Sequence, residues 1–486
     1  MSTNYATIRS AFIRGIEAVP VDVEVDIKTG GIPNMTIVGM PDAAVLECAA
    51  RVRCAIKSCG YEFPQGRIVV NLAPNFIKKS GSSFDFAVAV GILAASSQID
   101  PKMTEGRMFV GELSLDGTVR EARGYYAYAA LAGELGVYLI VSDDTSRFGH
   151  IIDGKPVGFG CKSLADLRGG RWQAFRILDT CPAHDSDTLD YFDIPGLERA
   201  KRACQIAAAG RLPILFVGGP GTGKTMLASR LATIMPDLDD MTARMNLSIQ
   251  SAAGLPYSAA RPVRSPHHSA TGSGLVGGGR PVHPGEVTLA NGGVLYLDDV
   301  NEFSPSILKM LRPAVENRDV TIARADGTCV MPSDFLLAAS ANPCPCGYFG
   351  STTRDCTCSH IAVQKYQERT AGPLFDVFDM RIDVPESDVF AGKTQSSAQL
   401  RAGVKAAWDF QERRGRAHAD EAPDPLAACK LDAETETWFE GACKSMKLSG
   451  REIMSACKIA RAIADINECD TVSHDNLTEA LSFVNR

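Results

Sequence analysis

The stretch ILFVGGPGTGKTMLASRL, residues 214 to 231, constrains the fold more than any other part of the chain. A short apolar run leads into a glycine-rich loop, and the loop leads into a helical pattern. Gly218, Gly219, Pro220, Gly221, Thr222, Gly223, Lys224 and Thr225 carry the spacing of a phosphate-binding loop. Glycines let successive backbone N–H groups curl around phosphate oxygens without a Cβ in the way, and the following helix points its positive end at them. Lys224 is then expected to reach the β- and γ-phosphates of ATP, with the Thr225 hydroxyl in the Mg²⁺ shell. A loop of this kind sits on a parallel sheet, so this part of the chain is expected to be α/β.

A second apolar run, Val294-Leu295-Tyr296-Leu297, delivers two adjacent carboxylates, Asp298 and Asp299. Asp298 is expected to hold Mg²⁺ through water, and Asp299 to polarise the attacking water. Nucleotide-hydrolysing machines usually carry Glu at the second position, one methylene longer. A third run, DFLLAASANP, ends in Asn342. A polar side chain at the tip of a strand beside the loop is what AAA+ ATPases use to orient water (their sensor 1). The alternative is a turn residue before Pro343.

The 486 residues are too many for one ordinary domain. Residues 1 to 170 alternate β-rich runs with helical stretches, and 171 to 192 are polar and aperiodic, as in a linker. Residues 193 to 385 form the second α/β region, and 386 to 486 read as helical. No run approaches the roughly 20 apolar residues of a membrane span, and the N-terminus lacks the layout of a signal peptide. Both point to the cytoplasm. A net charge of -7 does not announce nucleic acid, although a ring can gather basic residues in its pore. Most of the fifteen cysteines are expected to be reduced, buried thiols.

The loop, RPVRSPHHSATGSGLVGGG, PGEVTLANGGVLYLDDVNEF, ANPCPCGYFG, GPLFDVFD and LSGRE occur in the order found in magnesium-chelatase-like AAA+ ATPases. With the N-terminal TIVGMPDAAVLECAARVRCAI and GELSLDGTVREARG, the chain resembles the ComM/YifB family over nearly its whole length. The resemblance implies a Lon-protease-like (ribosomal S5 domain 2-like) N-terminal domain, a P-loop core and a C-terminal helical lid. It implies an ATP-dependent hexameric motor on DNA, a branch-migration helicase serving natural transformation. Arg451 in LSGRE looks like the sensor-2 arginine that touches the γ-phosphate.

The same resemblance places two inserts at the pore. The first spans about 250 to 285 and carries Arg261, Arg264, His267 and His268; the second, VTIARADGTCVMP, has the strand–Asp-Gly–strand pattern of a hairpin. Arg261, Arg264 and Arg324 are the DNA-contact candidates, with a solvated surface arginine as the alternative. Two departures weigh against fast hydrolysis. Val377 stands where the family carries an arginine that reaches the neighbouring subunit, a group worth about 10³–10⁵-fold in turnover. Asp299 sets its carboxylate back by about 1.5 Å. Arg369 and Arg381 are nearby substitutes for the finger. An ATP-gated scaffold is therefore the alternative to a motor, and a chelatase motor subunit a third reading.

Cys344, Cys346, Cys356 and Cys358 supply four soft ligands suited to a closed tetrahedral Zn²⁺ site, with free thiols as the alternative. Alignment with Lon-type proteases puts Ser83 near the serine position but Tyr126 where the lysine base belongs. A phenol titrating near 10 is a poor base, so proteolysis is not expected.

Overall fold

The computed structural model describes residues 4–143, 158–169, 172–175, 189–324, 327–351, 354–369, 375–386, 392, 394–415 and 424–484. Its first region is built on a seven-stranded sheet. Across the sheet the order is Gly66–Ala73, Glu17–Val38, Tyr5–Arg14, Arg107–Phe109, Tyr138–Ser142, Gly158–Cys161 and Gln173–Phe175. The first three strands pair antiparallel, the next three join in parallel, and the last returns antiparallel.

Side chains of period two fill both faces. Ile8, Phe12, Phe109 and Ile140 face helices Ala43–Ser58 and Asp85–Ala95, whereas Ala11, Met108 and Leu139 face helix Tyr125–Glu134. Helix Asp85–Ala95 is buried along its whole length, as its all-round apolar sequence requires. It lies close on the sheet at Gly91, where an added Cβ would come within 2.7 Å of Val25 Cγ2.

Gln173–Phe175 fall in the segment expected to be a linker, yet they pair with Gly158–Cys161 at the sheet edge. Three residues with no alternating pattern give no strand signal. At the other end of that segment Tyr191 is fully buried and its hydroxyl donates to Leu227 O at 2.8 Å, so it belongs to the second region. Residues 176–188 lie outside the described residues.

The second region holds a parallel five-stranded sheet ordered Val263–Arg264, Val294–Leu297, Leu336–Ala341, Ile214–Val217, Met380–Asp383. The three central strands are buried on both faces, which explains their near-continuous apolar runs. Because all run the same way, their C-terminal ends bring Gly218, Asp298 and Asn342 to one edge, where open parallel sheets bind ligands.

Helices Ser397–Arg413, Pro425–Cys429, Ala433–Met446, Gly450–Ile466 and His474–Leu481 follow. Val404, Phe439, Ile459 and Leu477 share one apolar cluster with Ile214 and Phe216, so these helices pack on one face of the sheet. Ser396, Ser449 and Ser473 each close a capping box at a helix start. No helix among the described residues is long and apolar enough to cross a membrane.

The hairpin expected before Asn342 is present, with Asp319–Arg324 antiparallel to Gly327–Pro332. Its tip, 325–326, lies outside the described residues. The first region docks onto it and onto helix Asp240–Ala253. Arg14 Nη2 donates to Thr328 O at 2.9 Å, Gly124 N–H donates to Ser251 O at 3.1 Å, and the Tyr126 and Tyr257 rings meet edge-on at 4.7 Å. Ile16 enters a shared cluster with Ile249, Ala252, Cys329 and Met331. Gly15, at φ +65°, has no room for a side chain because a Cβ would collide with Cys329 Sγ.

Candidate nucleotide-binding site

The glycines of the loop have distinct reasons to be glycine. Gly221 and Gly223 take φ of +79° and +95°, and Gly223 caps helix Lys224–Ser229. A Cβ on Gly221 would meet nothing within 4 Å, so that residue borders open space. Lys224 extends back along the loop. Its ammonium donates to Gly218 O and Gly219 O, both at 2.8 Å, and to Asn342 Oδ1 at 3.2 Å. Burial lowers its pKa, and the nearby Asp299 and Asp298 work against that shift.

Both acids are held by named partners. Asp298 accepts from Ser340 Oγ at 2.6 Å and Tyr296 OH at 2.7 Å, and its other oxygen stands 3.5 Å from Thr225 Oγ1. Tyr296 also reaches Thr225 Oγ1 at 3.3 Å. A hydroxyl and a carboxylate so placed suit one hydrated divalent cation. Asp299 N–H donates to Ser340 Oγ at 2.8 Å, and Asn342 Nδ2 donates to Asp299 Oδ1 at 3.0 Å. The Asp299 carboxyl pKa is raised, first by burial and then by the Asp298 charge. Its backbone is left-handed at φ +49°, which short Asp tolerates better than longer side chains.

Tyr296 and Ser340 were not among the residues expected at the site. Strand parity held the signal: Tyr296 is two residues before Asp298, and Ser340 two before Asn342, so each shares its partner's side of the strand.

Arg451 pairs with Asp376 at 2.7 Å, not with the loop. Both line a cavity of about 730 Å³ together with Asn342, Gln367, Arg381 and Glu452. Arg381 pairs with Asp383 at 3.6 Å on the strand beside the loop strand. Val377 is half-buried against the apolar cluster of Leu215, Leu337 and Phe375. The Arg369 side chain lies outside the described residues.

The sulfurs of Cys344, Cys346, Cys356 and Cys358 all lie within 4.8 Å of one another. Cys344 to Cys346 is 3.4 Å, Cys344 to Cys356 3.7 Å and Cys346 to Cys356 3.6 Å.

Three family models together span most of the chain. "Subunit ChlI of Mg-chelatase" matches residues 23–144, "Magnesium chelatase, subunit ChlI" 190–391, and "Magnesium chelatase, subunit ChlI C-terminal" 394–484. The chain is 35% identical to YifB of Escherichia coli over 99% of its length and 97% of that protein's. It is 34% identical to the competence protein ComM of Haemophilus influenzae, over 98% and 97%. The chain belongs to the ComM/YifB family of magnesium-chelatase-like AAA+ proteins. Similarity to the chloroplastic magnesium-chelatase subunit ChlI of Nicotiana tabacum is weaker, 22% over 55% of this chain and 66% of that one.

In this ComM/YifB member the three basic candidates differ in kind. Arg261 is turned inward, against the expectation of a DNA contact. Its Nε donates to Pro236 O at 3.1 Å, Nη1 and Nη2 reach Gly292 O and Pro236 O, and the group stacks over Trp408 at 5.6 Å. Burial pulls its pKa down to about 10. Arg264 is half-buried and grips Glu286 with two bonds, of 2.6 and 2.9 Å, which offsets its charge. Arg324 is exposed at the end of the hairpin. His267 and His268 are exposed and stack at 4.0 Å.

Ser83 is buried and donates to Ala11 O at 3.2 Å, while Tyr126 packs in the joint between the regions. The serine hydroxyl is committed to the sheet, and the tyrosine to an interface.

Proposed function

We propose that this ComM/YifB member is an ATP-dependent, ring-forming motor that acts on single-stranded or branched DNA, in branch migration during recombination or natural transformation. The observation that carries this is the hydrogen-bonded chain Lys224–Asn342–Asp299 beside the Thr225–Asp298 pair. It sets a cation for the β- and γ-phosphates, a polar group for the attacking water and a carboxylate to polarise that water within one strand-end cluster. Mg²⁺, held by Thr225 and through water by Asp298, would neutralise developing phosphate charge. Kinship with a competence protein supports DNA as the partner, and Arg324 is the exposed arginine among the three candidate contacts. A hexamer working in the cytoplasm accords with the family. Arg451, the sensor-2 candidate, and Arg381, a candidate substitute for the finger, lie on the wall of the 730 Å³ cavity with Asn342. The four thiols form a structural zinc set.

A second reading has its own observation. Val377 is packed into the apolar cluster, so it offers no cation to a neighbour, and Asp299 is short. An ATP-gated scaffold with impaired hydrolysis accommodates both.

Steady-state ATP hydrolysis with and without branched DNA, beside Lys224→Ala, separates the two. DNA-stimulated turnover several-fold above the Lys224→Ala control supports the motor. Nucleotide binding with turnover at the control's level, even for Asp299→Glu, sinks it and leaves the scaffold.

A further inference from the structure

We propose that the four-cysteine knuckle is a zinc-dependent buttress of the nucleotide loop, so that nucleotide affinity follows zinc occupancy. This rests on the nucleotide-site assignment above and adds a control to it.

The local sequence explains how two cysteines one residue apart converge. Cys344-Pro345-Cys346-Gly347 closes a turn in which Gly347 N–H donates to Cys344 O at 2.9 Å, with Gly347 at φ +82°. The turn brings the first two sulfurs to 3.4 Å, and Cys356 approaches them from across the loop at 3.7 and 3.6 Å. A tetrahedron of thiolates about 2.3 Å from zinc has edges of about 3.8 Å. The observed separations are close to that edge and far from the roughly 2 Å of a disulfide. Phe349 N–H donates to Cys344 Sγ at 3.3 Å, the kind of backbone bond that supports a bound thiolate. Four sulfurs leave no open position, so the metal would be structural.

Gly347 lies against the nucleotide loop. A Cβ on Gly347 would fall 2.7 Å from Pro220 Cδ, and a Cβ on Gly219 would fall 3.1 Å from Gly347 O. On its other side the knuckle begins two residues after Asn342, whose side chain bonds Lys224 and Asp299. Gln367 Nε2 ties Pro343 O back to helix His360–Arg369 at 3.4 Å. One short loop therefore backs both the phosphate loop and the strand-end amide. Without a metal, four thiols crowded within 4.8 Å have little reason to stay together, and the backing relaxes.

The test uses the full chain. Zinc is measured by elemental analysis, and affinity for a fluorescent ADP analogue is measured before and after a zinc-selective chelator, then after zinc is restored, with Mg²⁺ constant. About one zinc per chain is expected, with affinity falling about fivefold or more on stripping and returning with zinc. Zinc below about 0.2 per chain in protein purified without chelators overturns the metal site. Affinity unchanged within about twofold after stripping overturns the buttress and leaves the metal site standing. If the zinc-loaded chain binds ADP no better than Lys224→Ala, the nucleotide assignment falls and the buttress with it. The chelation arm works on wild-type protein, so a Cys356→Ser variant that fails to fold does not decide the matter.

Discussion

Asn342 donates its side-chain amide to Asp299 at 3.0 Å, and so fixes the carboxylate that faces the phosphate loop. Asp299→Asn is expected to lower kcat by about 10²–10³-fold. ADP affinity should stay within about threefold, since the phosphate contacts come from the loop. Asp299→Glu carries its carboxylate forward but must hold a left-handed backbone at a cost of about 1 kcal/mol. Turnover should rise in that variant while its melting temperature falls; steady-state kinetics and a thermal melt check both.

Burial and Asp298 raise the Asp299 pKa. If Asp299 works ionised, kcat/KM, which reports the free enzyme, falls as pH drops through that raised value, so its acid limb lies above the ordinary aspartate range near 4. Removing the titrating group in Asp299→Asn should remove this limb from the residual profile. The stability sign is opposite: a raised carboxyl pKa favours the folded state at low pH, and that contribution is lost as pH rises. Asp299→Asn should therefore be more heat-stable than wild type at pH 8.

Tyr296→Phe keeps the strand's volume and removes bonds of 2.7 Å to Asp298 and 3.3 Å to Thr225. An unanchored ligand set should raise the Mg²⁺ concentration for half-maximal activity by about tenfold. A Mg²⁺ titration of hydrolysis at saturating ATP measures it.

Arg261 and Arg324 should separate in a DNA-binding assay. Arg261→Ala leaves two carbonyls without their donor and should cost about 2–4 kcal/mol of stability, with the salt dependence of DNA binding unchanged. Arg324→Ala should leave stability within about 0.5 kcal/mol and reduce the slope of log K against log salt by about one. Equal effects on DNA from both would contradict the assignment.

Much of the site was legible because parallel strands end where their sequences say they do. The runs before Gly218, Asp298 and Asn342 are buried strands, and their polar ends meet without further information. Tyr296 and Ser340 were hidden inside those runs, where a phenol and a small hydroxyl look like packing. Arg261 looked like a surface cation because a sequence shows charge and not the carbonyls of Pro236 and Gly292 that absorb it. The contact of Gly347 with Pro220 joins distant segments through shape alone, with no residue pattern to announce it. The same holds for the joint between the regions, whose decisive residues are glycines.

That joint limits how such chains can be recombined. Gly15 sits against Cys329 with no room for a Cβ, and the Arg14 guanidinium lies over Gly327. A first region borrowed from one relative and an ATPase region from another would fit only if both halves of this lock came from the same parent. The hairpin and the tight turn that grips it are, in effect, one inherited unit encoded in two distant places.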